Sequence, residues 1–134
     1  MNVMAPRPPA ISKCRILVVE DDATFGQALC KVLAHAGYET VFAADFRSAL
    51  EALEAEQPLH LLLADIVMPN GVNGLALARM ARLRRRDLKV IYISGYNIPG
   101  VGEEALGPVL RKPIDERVLI EEIERTLAAV YGSQ

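Results

Sequence analysis

Short apolar runs alternate with longer segments whose apolar residues recur at helical spacing, and this alternation constrains the fold more than any other feature. Parallel strands need a crossover of about a dozen residues or more, usually a helix, so the alternation predicts a parallel sheet with crossover helices. The runs are apolar throughout, which is typical of strands covered on both faces. We therefore predict an α/β fold with a doubly wound, five-stranded parallel sheet. The predicted strands are 16–19, 38–42, 59–64, 90–93 and 109–110.

The helical segments carry their own start and stop signals. The first begins at Ala23 and is expected to end at Gly37, since glycine tolerates the left-handed backbone of a helix end. Asp45 and Asp115 are expected to cap the second and the last helix, because an aspartate can accept hydrogen bonds from the first free N–H groups. The third helix is predicted over about residues 74–85.

Length, composition and charge exclude several classes of protein. A chain of 134 residues is expected to form about one domain, and 51% hydrophobic residues is too apolar for a disordered chain. The net charge of −2 offers no general attraction for nucleic acid or an anionic membrane. No apolar stretch approaches the roughly 20 residues that span a bilayer. We therefore predict a cytoplasmic protein that binds neither nucleic acid nor membrane.

The chain ends and the cysteines carry no recognisable site. Residues 1–13 hold three prolines and few large apolar groups, which predicts a flexible leader before a folded domain at 14–131. Residues 132–134 are expected to be a C-terminal tail. Cys14 and Cys30 lie in apolar patterns typical of buried thiols and do not form a CxxC pair.

Polar side chains follow four of the five predicted strands. The carboxyl ends of parallel strands lie at one edge of the sheet, where doubly wound folds bind their ligands. Converging carboxylates repel one another and need a cation, a shared proton or solvent. Oxygen ligands suit Mg²⁺, and a hydroxyl and an ammonium beside it can stabilise the oxygens of a transferred phosphoryl group. The residues are Glu20, Asp21 and Asp22 after the first strand, Asp65 after the third, Ser94 after the fourth and Lys112 after the fifth.

Taken together, these motifs resemble the receiver domain of bacterial two-component response regulators. The resemblance covers residues 14–131 and implies a flavodoxin-like fold with strand order 2-1-3-4-5. In the loop at 69–74 it is closest to the receivers of hybrid histidine kinases. The matching motifs are Val18-Val19-Glu20-Asp21-Asp22, Asp65-Ile66-Val67-Met68-Pro69, Ser94 and Lys112-Pro113.

The resemblance implies a function in a phosphorelay. Asp65 would be the phosphoacceptor, which takes a phosphoryl group from a histidine kinase or a histidine phosphotransfer protein. Ser94 and Lys112 would hold the oxygens of the aspartyl phosphate. The chain would catalyse only its own phosphorylation and dephosphorylation, so it would not be a turnover enzyme. Phosphorylation would switch a surface that an unidentified downstream protein recognises.

The resemblance also implies a magnesium site. Mg²⁺ would be bound by Glu20, Asp21 and Asp65, and by the backbone carbonyl of Val67. Asp22 lies one place beyond the acidic pair and is interpreted as a helix cap. The peptide bond before Pro113 is expected to be cis, as is common in the family and possible for proline.

This sequence departs from the family pattern in the second half of the chain. Receivers usually carry an aromatic residue three places before the lysine, where this chain has Val109. Tyr96 is the nearest substitute. Proline and glycine residues between Ser94 and Lys112 predict that the fourth helix is short or irregular, which implies an altered partner surface or one that becomes ordered on binding. Bulky Val67 and Tyr96 are expected to slow hydrolysis of the aspartyl phosphate.

Three alternatives remain open from the residues alone. A haloacid-dehalogenase-type phosphatase also uses a strand-end aspartate, but its acid/base position is Val67 here, which cannot transfer a proton. A flavodoxin-like small-molecule binder needs a phosphate-binding loop, and Glu20-Asp21-Asp22 puts negative charge there. A receiver-like interaction module that acts independently of phosphorylation is the third, and the missing aromatic at Val109 favours it.

Two charged surfaces are interpreted as solvated. Cations at the end of the third helix meet its dipole favourably, at the opposite end of the sheet from the acidic residues, so we do not interpret them as a nucleic-acid patch. The last helix has charged residues around an apolar stripe and is expected to be amphipathic, with an exposed side that could join a homodimer. The basic residues are Arg79, Arg82, Arg84, Arg85 and Arg86.

Overall fold

The structure, a computed structural model, describes residues 14–68, 73–96 and 105–128. The predicted leader at 1–13 and tail at 132–134 lie outside these ranges. The same is true of most of the loop at 69–74 and of residues 97–104, where the short fourth helix is predicted. Within the described ranges, no helix is long and apolar enough to cross a membrane.

Five parallel strands form one sheet in the order β2-β1-β3-β4-β5, which confirms the predicted fold class and strand order. The third strand begins two residues later than predicted and contains Asp65 as its last residue. The reason is the register, in which β3 first pairs with β1 at Leu61 and still pairs with β4 at Asp65. The strands are β1 (Arg15–Val19), β2 (Glu39–Ala43), β3 (Leu61–Asp65), β4 (Lys89–Ser94) and β5 (Val109–Arg111).

Each helix in the described residues begins at a side chain that accepts hydrogen bonds from its first turn. Asp45 and Asp115 cap the second and the last helix as predicted, and Asp22 and Asn73 cap the other two. The first helix is followed by Gly37, whose φ of 101° lies in the left-handed region. The helices are α1 (Ala23–His35), α2 (Phe46–Glu54), α3 (Gly74–Arg84) and α4 (Glu116–Leu127).

Two apolar clusters cover the two faces of the sheet, as the uniformly apolar strands predict. Successive residues of a strand point to opposite faces, so Leu62 packs with α2 and α3 while Leu63 packs with α1 and α4. Both side chains are fully buried. Cys14 is buried and Cys30 partly buried, and the two do not form a disulfide. The packed helices fix the loops at the carboxyl ends of the strands, where the polar residues lie.

Candidate functional site

A cavity of about 400 Å³ opens at the carboxyl edge of the sheet. It lies among the loops that follow β1, β3 and β4 and the residue that follows β5, so four separate segments of the chain meet there. The topology thus brings together residues that are up to about ninety positions apart in sequence. The lining residues are Glu20, Asp21, Asp22, Asp65, Val67, Gly95, Tyr96 and Lys112.

Three carboxylates converge on one side of this cavity. Glu20, Asp21 and Asp65 each offer an oxygen, and these oxygens lie within 4.8 Å of one another. Glu20 and Asp65 are buried, with 1% and 3% of their surface exposed, while Asp21 is partly exposed. Buried carboxylates at this spacing repel strongly unless positive charge compensates them.

Lys112 supplies one such charge. Its Nζ donates a hydrogen bond to Asp65 Oδ2 at 2.8 Å and lies 3.4 Å from Glu20 Oε1. Burial lowers the pKa of Lys112, but the hydrogen bond to Asp65 and the negative charge of Glu20 outweigh it, so the pKa is above its ordinary value. The ammonium therefore stays charged at neutral pH. The bond between Lys112 and Pro113 is cis, as the resemblance implies.

Only one of the two carboxylate oxygens of Glu20 accepts a hydrogen bond from the residues that the structure describes. Its Oε2 accepts a hydrogen bond from the backbone N–H of Asp22 at 3.1 Å, whereas its buried Oε1 has no hydrogen-bond partner among the described residues. Burial raises the pKa of Glu20 to about 7; the bond from Asp22 opposes this rise and neighbouring Asp65 adds to it. An orphaned carboxylate oxygen among three converging carboxylates fits a divalent cation that prefers oxygen ligands, such as Mg²⁺.

The raised pKa of Glu20 makes the stability of the metal-free protein depend on pH. The pKa of Glu20 in the folded protein, about 7, exceeds the ordinary value of 4.5. The favourable contribution of protonated Glu20 to the free energy of unfolding is therefore fully present below about pH 4.5 and is lost as the pH rises through 7. We expect Glu20→Gln to raise the free energy of unfolding at pH 8 in EDTA by about 2 kcal/mol, and to change it little at pH 4.5. Urea titrations at both pH values measure this, and an equal effect at the two would contradict it.

Ser94 is directed toward its own loop. It ends β4 and is 1% exposed. Its hydroxyl donates to the carbonyl of Tyr96 at 2.8 Å and accepts from the N–H of Tyr96 at 3.0 Å. The only proton of the hydroxyl is thus given to Tyr96, and it becomes available to a ligand in the cavity only if this bond breaks.

Val67 and Tyr96 lie at the mouth of the cavity. The N–H of Val67 donates to Asp65 Oδ1 at 3.1 Å, which fixes the second oxygen of that carboxylate. The side chains of Val67 and Tyr96 are 43% and 64% exposed. Both side chains therefore border the route from solvent into the cavity.

Two contacts at the site were not predicted from the sequence. The ring of Phe25 lies beneath Lys112, with its centroid 4.7 Å from Nζ. Gly74 begins α3 so close to β3 that an added Cβ would lie 2.4 Å from the carbonyl oxygen of Asp65. In the sequence, Phe25 shows only as an apolar position of a helix and Gly74 as a helix start. No pattern in the chain signals either contact.

The arginines at the end of α3 have structural partners. The guanidinium of Arg85 donates to the carbonyls of Leu53, Ala55 and Gln57 at 2.6 to 2.9 Å, which closes the end of α2. Arg84 lies 3.4 Å from Glu54. Two of the five arginines thus tie the end of α3 to the end of α2.

Comparison with known proteins gives a consistent result. The family described as "Response regulator receiver domain" matches residues 16–124. The response regulator receiver protein CpdR of Brucella abortus (strain 2308) is 40% identical over 119 residues, covering 86% of this chain and 98% of CpdR.

Two solved structures show the same fold. A CheY-like receiver domain protein from Methanospirillum hungatei JF-1 superposes with a TM-score of 0.80 at 28% identity, covering 87% of this chain and 95% of that one. The receiver domain of the hybrid histidine kinase CckA superposes with a TM-score of 0.71 at 33% identity, covering 84% and 98% of the two chains.

Proposed function

The chain belongs to the response regulator receiver family, and on that basis we propose that it is a phosphorylation-dependent switch whose phosphoacceptor is Asp65. One observation carries the proposal. The nearly buried carboxylate of Asp65 ends β3 at the wall of an open cavity, and each of its oxygens is held by one donor, the N–H of Val67 and the ammonium of Lys112. A carboxylate fixed in this way is suited to attack a phosphorus atom that enters the cavity.

Magnesium is the cofactor that these residues suit. Glu20, Asp21 and Asp65 would hold the ion together with the backbone carbonyl of Val67. When bound, Mg²⁺ compensates the repulsion among the carboxylates and stabilises negative charge on the phosphoryl oxygens. The Oε1 of Glu20 supports this assignment, because among the described residues this buried oxygen makes no hydrogen bond and has only the ammonium of Lys112, at 3.4 Å, as a counter-charge.

The transfer itself is a single displacement at phosphorus. A carboxylate oxygen of Asp65 forms the new bond, and the bond from phosphorus to the leaving nitrogen or oxygen of the donor breaks, with its electron pair going to the donor. The product is an aspartyl phosphate. Lys112, already 2.8 Å from Asp65, then donates to a phosphoryl oxygen.

The signal would leave the site through Ser94. To donate to the new phosphoryl oxygens, its hydroxyl must give up the carbonyl of Tyr96, so the loop that begins at Gly95 is released from its present turn. The added charge thereby biases a local two-state element. We infer that the donor is a histidine kinase or a histidine phosphotransfer protein, and that a downstream protein recognises the altered surface.

The direct test is phosphorylation by a small donor. Acetyl phosphate with Mg²⁺ should add one phosphoryl group to the wild type, measured as intact-protein mass. Without Mg²⁺, or in Asp65→Asn, we expect no gain; the amide keeps the size of Asp65 and an oxygen that can accept from Val67 or Lys112. If neither acetyl phosphate nor a panel of histidine kinases phosphorylates the wild type, the proposal is wrong and an interaction module that works without phosphorylation is favoured.

We further expect the aspartyl phosphate to hydrolyse slowly. Exposed Val67 at the cavity mouth offers no group to orient an attacking water, and its bulk limits access. Val67→Asn should speed hydrolysis several-fold, measured as loss of the phosphoryl mass after the donor is removed. Val118→Asn is the matched control, because Val118 is similarly exposed (47%) and lies on α4. Equal decay rates in wild type and Val67→Asn would refute the shielding role.

A further inference from the structure

We propose that Phe25, in the first turn of α1, is a positioning residue that holds the ammonium of Lys112 at the phosphoacceptor; this inference rests on the proposed function of Asp65. Nζ of Lys112 lies over the ring at 4.7 Å from its centroid. A cation within about 6 Å of a ring face is attracted by the negative charge of that face. The ring and the carboxylate of Asp65 thus both contact the same ammonium.

The ring is itself held in place by the acidic loop of the site. The N–H of Phe25 donates to Asp22 Oδ1 at 3.1 Å, and the N–H of Asp22 donates to Glu20 Oε2 at 3.1 Å. The ring is partly buried against the apolar cluster beneath α1 and α4. The loop that supplies the carboxylates therefore also fixes the backbone of Phe25, and the apolar cluster packs against its ring.

The ring restricts an otherwise flexible side chain. Lys112 is 30% exposed, and a lysine ammonium is strongly hydrated on a stem of four carbons, so solvent competes for it. With Asp65 on one side, Glu20 at 3.4 Å and the ring of Phe25 on another, few directions remain open to Nζ. The ammonium is therefore already in place before a phosphoryl group arrives, which reduces the reorganisation during transfer.

The contribution of the ring should be greatest when a metal is bound. In the metal-free protein, the negative charges of Glu20 and Asp65 attract Lys112 strongly. A divalent cation held by the same carboxylates would offset that attraction, because it would repel the ammonium. The ring of Phe25 carries no net charge and does not ligate the metal, so its attraction for the ammonium persists.

Three variants separate this role from general packing. Phe25→Leu removes the ring but keeps an apolar side chain, and Phe25→Tyr keeps an aromatic face. Phe42→Leu is the matched control, because Phe42 is partly buried against the same apolar cluster and its ring packs on Gly26 of α1. Both leucine variants therefore lose one aromatic ring that packs on this apolar cluster. Only Phe25→Leu loses the ring beneath Lys112.

Nuclear magnetic resonance of the metal-free protein reads the contact without any phosphorylation. Protons above an aromatic face shift upfield, so we expect the ε-methylene protons of Lys112 to be shifted upfield in wild type, Phe25→Tyr and Phe42→Leu. In Phe25→Leu they should return toward the position of a solvated lysine. Unshifted protons in the wild type would overturn the inference.

The initial rate of phosphorylation by acetyl phosphate at saturating Mg²⁺ measures how much the ring of Phe25 contributes to phosphoryl transfer. From the usual strength of a cation–π contact we expect Phe25→Leu to be slower by roughly 3- to 30-fold, and Phe25→Tyr to stay within about twofold of wild type. Phe42→Leu, corrected for its folded fraction, should also stay within about twofold. A wild-type rate in Phe25→Leu, or equal slowing in both leucine variants, would overturn the inference.

Failure of the proposed function is distinguishable from failure of this inference. If the wild type takes up no phosphoryl group from any donor, the proposed function falls and the positioning role falls with it, even where the upfield shift is observed. If the wild type is phosphorylated normally and Phe25→Leu is not impaired, only the positioning role is wrong.

Discussion

Replacing Lys112 with Met is expected to slow phosphoryl transfer by about 10²- to 10³-fold, and to lower the free energy of unfolding of the metal-free protein at pH 8 by about 3 kcal/mol. Methionine keeps an unbranched stem of similar length and removes the charge. The first effect follows because the ammonium that would stabilise the phosphoryl oxygens is lost. The second follows because buried Glu20 and Asp65 are left without the cation that pairs them.

The same variant should respond to protons and to metal in a defined direction. Protonation of Glu20 relieves the repulsion, so the loss of stability in Lys112→Met should be smaller at pH 5 than at pH 8. Mg²⁺ should restore more stability to the variant than to the wild type, because it replaces the missing charge.

Urea titrations and phosphorylation time courses measure both effects of Lys112→Met. Lys31→Met is the matched control, since Lys31 is exposed on α1 and its replacement should change stability by no more than about 0.5 kcal/mol. Lys112→Met with the stability and the rate of the wild type would show that the ion pairs seen here contribute nothing.

Replacing Gly74 with Ala is expected to destabilise the protein by at least about 3 kcal/mol and to impair phosphorylation of the folded fraction. An added Cβ would lie 2.4 Å from the carbonyl oxygen of Asp65 and 3.0 Å from Cα of Ile66. These are backbone atoms and cannot rotate away. The N–H of Gly74 also donates to the carbonyl of Ile66 at 2.8 Å, so α3 cannot withdraw from β3 without losing that bond.

A second glycine variant tests whether the effect of Gly74→Ala is specific to its position. Gly95→Ala is the comparison, because its Cβ would meet only the Cδ of Lys112, at an ordinary 3.9 Å. We expect that variant to remain within about 0.5 kcal/mol of wild type. Urea titrations of the three proteins measure the difference, and equal stability of Gly74→Ala and wild type would show that α3 is not in contact with the phosphoacceptor strand.

The fold was predictable because hydrophobic patterning and helix capping are local properties of the sequence. The apolar runs predicted five parallel strands, and Asp45 and Asp115 marked the starts of two helices, as the structure confirms. The start of β3 was wrong by two residues. Leu59 and His60 precede the first residue in register with β1, Leu61, although the N–H of His60 already donates to the carbonyl of Arg15 at 2.9 Å, and this register depends on a distant strand.

The site was predictable only as a set of strand ends. Glu20, Asp21, Asp65 and Lys112 follow or end strands of a parallel sheet, so their convergence follows from the topology. The direction of the Ser94 hydroxyl does not follow from the topology, because it depends on the turn that Tyr96 completes. The contact between Phe25 and Lys112 joins a helix to the end of the last strand, and no local pattern signals it.

The region around Val109 shows a similar limit. The sequence indicates only that the usual aromatic residue is missing there. In the structure Val109 pairs with Tyr92 of β4, whose ring is fully buried and whose hydroxyl accepts a hydrogen bond from the N–H of Leu106 at 3.1 Å. An aromatic ring is thus present beside this position on the neighbouring strand, where it anchors the segment before β5.

Locating the phosphoryl group tests the central claim most directly. The protein would be incubated with acetyl phosphate and Mg²⁺, treated with sodium borohydride, which reduces an acyl phosphate of aspartate to homoserine, and sequenced as peptides by mass spectrometry. The proposed function predicts homoserine at position 65, dependent on Mg²⁺ and on the donor. Reduction at Asp21 or another carboxylate instead, or a phosphoryl gain with no reduced residue at all, would contradict the assignment of Asp65 as the phosphoacceptor.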